Sequence, residues 1–147
     1  MGLSVDDVKA KVHQYLAKNF EVGLSEDLGF HVDYGSTRVF VSVAARGEEA
    51  DPPIVVRVSA PVAFEVPETP EMLAYVARHT DSWLFGHLSM AADADAPETH
   101  SVFFVHRLLG NYMEEEELVA TVIAVLYTAD RIDDDFVAQF GGRRFGE

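Results

Sequence analysis

The side chains best able to do chemistry here are six histidines and two acidic runs. The histidines are His13, His31, His79, His87, His100 and His106; the runs are Glu114 to Glu117 and Asp133 to Asp135. Imidazole ligates metals and moves protons near neutral pH. None of the six histidines falls into an HExxH pattern or into close metal-ligand spacing. One arrangement stands out. Two apolar runs, WLFGHLSMAA and SVFFVHRLL, flank the polar loop DADAPE. A hairpin closing around residues 96–97 sets His87 opposite His106, where two imidazoles could share a metal or respond to pH. Isolated strand histidines are more often partly buried or surface residues, and no metal or cofactor is assigned. The glutamates do not converge on a metal either, because neighbours on a helix point about 100° apart. Only Glu114 and Glu117 share a face. Acids in a first helical turn contribute about 0.3–1 kcal/mol through the helix dipole, which accounts for the run without chemistry. Asp133 to Asp135 form either a solvated face or a landing site for a basic partner. Asp93-Ala-Asp95 begins like a calcium loop, but Glu98 and Phe104 stand where glycine and glutamate are needed. Nucleophile-elbow and phosphate-loop patterns are absent. No enzyme is expected.

The elements around these residues follow from periodicity. Ser4 with Asp7 forms a capping pair, and Val5, Val8, Val12, Leu16 and Phe20 recur on one face, which predicts a helix over 5–20. Leu28 to Tyr34 and RVFVSVAA alternate as strands around a Gly35-Ser36 turn. After the loop GEEADPP, PIVVRVSAPVAFEV reads as a third strand, with Pro61 at a bend or an edge position. Thr69-Pro70-Glu71 opens a second helix running to about 80. The hairpin follows. Asn111 with Glu114 repeats the capping pattern, and a last helix runs to about 138. The predicted fold is α+β, α-β-β-β-α-β-β-α, a largely antiparallel five-stranded sheet packed with helices. A single domain covers residues 5–138, and residues 139–147 read as a flexible tail.

Bulk properties narrow the class. The 147 residues fit one domain, and 48% hydrophobic content supports a real core. Apolar runs fall short of the roughly 20 residues a bilayer requires, and the first residues lack the pattern of a secretory leader. With no cysteine, disulfide and thiolate chemistry are excluded. Cytoplasmic localisation is the expectation. A net charge of −14 with only three lysines argues against nucleic acid and against anionic membranes. The acidity keeps a hydrophobic protein soluble, and it can also attract a basic partner.

The apolar pattern is more informative. Leu118, Val122, Val125, Leu126, Ala129 and Ile132 form one stripe of the last helix, while Val119, Ile123 and Tyr127 form a second. A helix lying on a sheet with its back to water shows one stripe; two require cover on two sides, from another helix, a second subunit or a client. The hairpin repeats this. Trp83, Phe85 and His87 face one way and Leu84, Leu88 and Met90 the other, against a partner strand with apolar residues on both faces. Trp83, Phe85, Phe104 and His106 are therefore the candidate partner-binding residues, and Val119, Ile123 and Tyr127 the candidate dimer or cover interface.

The element order, together with RVSAPVAFEVPETPEMLAYVARHT, the hairpin WLFGHLSMAAD…SVFFVHRLLGNYM and the helix entered by EEEELVATVIAVL, resembles the YbjN-like family, related in fold to type III secretion chaperones. It is similar to actinobacterial members proposed as peptide-binding chaperones, over about residues 5–138. The resemblance implies a non-enzymatic homodimer that holds an extended peptide or an unfolded partner segment. It fixes no functional residues. Two other classes remain: a regulatory or sensory protein acting through protein contacts, and a metal protein built on His87 and His106.

Overall fold

The first helix begins where its cap predicts. Ser4 Oγ accepts from the Asp7 amide at 3.1 Å, and the Asp7 carboxylate accepts from the Ser4 amide at 2.9 Å, closing a capping box. In the computed structural model, which describes residues 2–25 and 29–147, helix α1 runs Val5–Asn19 and buries Val8, Val12 and Leu16. Strands β1 (Val22–Ser25), β2 (Gly29–Tyr34), β3 (Thr37–Ala45) and β4 (Ile54–Pro67) follow, then α2 (Pro70–Arg78), β5 (His87–Ala92), β6 (Thr99–Leu109) and α3 (Glu115–Phe140). The six strands form one antiparallel sheet in the order β1-β2-β3-β4-β6-β5. The α+β reading holds, with six strands in place of five.

The additional strand is β1. Its four residues are too few to show alternation, and Gly23 sits among them. That glycine has a steric reason: a Cβ there would come within 2.2 Å of the His31 ring on the paired strand. Leu28, read as the start of β2, lies outside the described residues. Pro61 lies beyond Ser59, the last β4 residue paired with β3, and beside a register shift against β6. There its missing amide removes no bond to β3.

The last helix starts later than the Asn111 cap predicts. Glu114 is the N-cap and provides no side-chain cap bond. Met113, fully buried, is drawn into the core first, so residues 110–113 turn before the helix can begin. The segment read as a flexible tail lies against β4. Phe64 and Arg143 exchange both backbone hydrogen bonds, at 2.8 and 2.9 Å, and Phe145 approaches Phe64.

All three helices pack on one face of the sheet. Val39, Val41, Val56, Val58, Val102, Phe104 and Leu108 meet residues of α1, α2 and α3 in a single core. The alternate strand residues, among them Phe40, Arg57, Ser59, Phe103, Val105 and Arg107, occupy the other face, which carries no helix. No helix among the described residues is long and apolar enough to cross a membrane.

Phe104 lies at the centre of this core and is fully buried. Phe104→Ala is expected to cost about 3–5 kcal/mol, read by urea unfolding; a loss under about 1 kcal/mol would remove Phe104 from the centre.

Candidate functional site

Residues 79–86 leave α2 and fold back over the helix-bearing face of β6. Trp83 stands edge-on to Phe104, ring centroids 5.3 Å apart, and Phe85 stands edge-on to His106 at 5.7 Å. The turn into β5 depends on Gly86. Its φ is +80°, and a Cβ there would meet the Val105 carbonyl oxygen at 2.7 Å and the Phe104 ring at 2.8 Å. Only glycine allows so close a backbone approach in that conformation.

The four candidate binding residues are thus neighbours, though not as strand partners. Trp83 and Phe85 belong to the loop, since β5 begins only at His87. Phe104 is part of the core and supports the loop from beneath; it offers no surface to a partner. Trp83 is half-buried on top of it, whereas Phe85 is 50% exposed. Leu84 between them is 91% exposed, a residue that the strand reading turned away from the others. Its only signal in the sequence was its place between two aromatics.

The hairpin register differs by one residue from the expected one. His87 pairs with Val105, not His106. Direct partners share a face and adjacent residues do not, so His87 stands on the helix-free face and His106 on the helix-bearing one. The facing imidazole pair does not form. Among the described residues, no group of three or more His, Cys, Asp or Glu side chains is placed to hold a metal. Burial, followed by the nearby Arg107, His106 and Arg57, holds the His87 imidazole below its ordinary range.

On α3, Leu118, Val122, Val125, Leu126 and Ala129 are buried, and Ile132 is partly so. The second stripe stays at the surface. Val119 is half-buried, while Ile123 and Tyr127 are exposed, Tyr127 lying edge-on to the exposed Tyr34 at 6.2 Å. The acidic runs are structural in their immediate contacts. Glu115 to Glu117 occupy the first turn, with Glu115 3.5 Å from Lys18 of α1. Arg144 pairs with Asp134.

Asp133 is held above the usual carboxylate range by partial burial, then by Asp134 and Asp130. A raised folded-state value means that the folded protein binds the proton more tightly than the unfolded chain. The associated stability is present at pH below the ordinary aspartate value and is lost as pH rises through the folded one. Asp133→Asn should therefore raise the melting temperature at pH 7 and leave it nearly unchanged at pH 3. An equal rise at both pH values would rule out titration as the cause.

The model of one known family, described as T3SS (YopN, CesT) and YbjN peptide-binding chaperone 1, TY-Chap1, matches residues 6–147. No curated protein matches the chain.

Proposed function

The chain belongs to the TY-Chap1 family of T3SS and YbjN peptide-binding chaperones, and from that premise we propose that it holds an extended partner segment on the loop Trp83 to Phe85 and the adjoining edge of β5. The observation carrying this reading is the exposure of Leu84 and Phe85, 91% and 50%, beside a strand that ends the sheet. An apolar pair at the surface repays its exposure when another chain covers it. Among the described residues β5 has one bonded neighbour, β6, which leaves its outer edge for strand addition. Backbone bonds along that edge would hold a client with little regard to sequence, and the aromatic loop would select apolar side chains. Holding a segment this way requires no catalytic group.

We further propose that Val119, Ile123 and Tyr127 meet a second copy across a two-fold axis. Their exposure on the outer side of a helix already packed on the sheet supports this.

An array of overlapping peptides from unfolded proteins, probed with purified protein, tests client binding. Leu84→Ser and Phe85→Ala are each expected to weaken binding by about tenfold while leaving the unfolding temperature nearly unchanged. Trp83→Ala should weaken binding and also lower stability, because Trp83 rests on Phe104. Unchanged binding by the Leu84 and Phe85 variants would move the client elsewhere. For self-association, light scattering should show a dimer converted to monomer by Ile123→Glu with Tyr127→Glu. A wild-type monomer at tens of micromolar would remove the second copy.

A further inference from the structure

Arg57 of β4 and Arg107 of β6 are direct cross-strand partners on the helix-free face, at the two innermost strands of that half of the sheet. Like charges facing each other across a ladder repel and cost stability. Among the described residues neither guanidinium forms an ion pair. Arg57 reaches the Ser59 hydroxyl, at 3.4 Å, and lies 6.0 Å over the Phe103 ring. Burial, then Arg107, pushes its guanidinium below the ordinary arginine value. This occurs in a chain of net charge −14, which has acids to spare.

Among the described residues, two acids of this face are committed elsewhere. Asp33 is held by Arg38 at 2.5 Å, and Asp93 by Thr99 and Ser101 at 2.6 and 2.7 Å. Around the two arginines the face is mixed, with Ser42 of β3 paired to Arg57. Val55 pairs with Leu109 on one side, and Ser59 with Val105 on the other. Leu109 is 56% exposed, whereas Val105 is fully buried. His87, across from Val105, adds a polar ring.

We propose that this face binds an extended acidic peptide segment, seating a carboxylate between Arg57 and Arg107 and the apolar side chain two positions along it over Val55 and Leu109. The guanidinium fork matches a carboxylate in plane, and one bound carboxylate relieves the repulsion of both arginines. A long polyphosphate chain is disfavoured, since the net charge of −14 repels it at every point beyond the pair. The acidic composition by itself suggests a basic client; the position of these two cations reverses the sign locally. The face is on the opposite side of the sheet from Trp83 and Phe85, so the two surfaces stand or fall separately.

Calorimetry with a synthetic peptide repeating Glu-Ser-Val-Ser, which puts glutamate and valine on the same side of an extended chain, tests this, alongside versions carrying glutamine or lysine for glutamate. The glutamate peptide should bind, and the other two should bind at least about tenfold more weakly. Arg57→Gln and Arg107→Gln should each weaken binding by about tenfold. Arg107→Lys should retain part of it, Phe85→Ala should leave it unchanged, and added salt should weaken it. Should Arg57→Gln fail to fold, the exposed Arg107 carries the test alone. Equal binding of the glutamine peptide, or wild-type affinity in the Arg107→Gln variant, overturns the proposal. So does equally tight binding of inorganic polyphosphate. Conversion of a dimer to monomer by Arg107→Gln overturns it too, by placing the acidic run of a second copy on this face.

Discussion

A sheet has two faces, and this one has a single layer of helices. That constraint governs the molecule. α1, α2 and α3 join β2, β3, β4, β5 and β6 in one core, and apolar burial on that side supplies the main driving force for folding. The other face must manage without a helical cover. Phe40 and Val105 are nonetheless buried, with the His31 ring edge-on to Phe40, and Arg57 lies over Phe103. The arginine stem covers apolar surface, but among the described residues its charged head has no acid paired with it.

The same economy explains α3. It is the longest helix and lies across β4, so its inner stripe is committed to the core. Its outer stripe stays largely at the surface, Ile123 exposed and Tyr127 touching only the exposed Tyr34 among the described aromatic rings. Likewise, the residues 79–86 do not extend the hairpin. They spend their aromatics on the helix-bearing side, where Trp83 finds Phe104 and Phe85 finds His106, and leave Leu84 in water. Three separate surfaces thus carry more apolar or charged character than the monomer uses, which suits a family named for binding peptides.

Much of this was legible in the residues. The capping pairs at Ser4 and Thr69, the alternation in β2 and β3, and both stripes of α3 were visible because each obeys a local period or cap rule. What failed was non-local. β1 is too short to show a period, and its glycine is explained only by the His31 ring on the next strand. The α3 start moved because Met113 is required by a core that assembles from distant segments. The hairpin register turned on a single residue, and that residue decided whether His87 faced His106. The Arg57 and Arg107 pair left a faint mark, a charged residue inside each of two apolar strands, but their juxtaposition depends on β4 pairing with β6, about fifty positions further along.

That pairing joins two parts of the chain that are otherwise locally connected. β1 to β4 form a continuous meander, β5 and β6 form a hairpin, and α2 links them. The β4–β6 ladder is the seam. The two guanidiniums face each other across it, so their mutual repulsion opposes the closing of the sheet itself. An anion bridging them would act as a clasp, and its hold would be felt as resistance of the hairpin to unzipping from the meander.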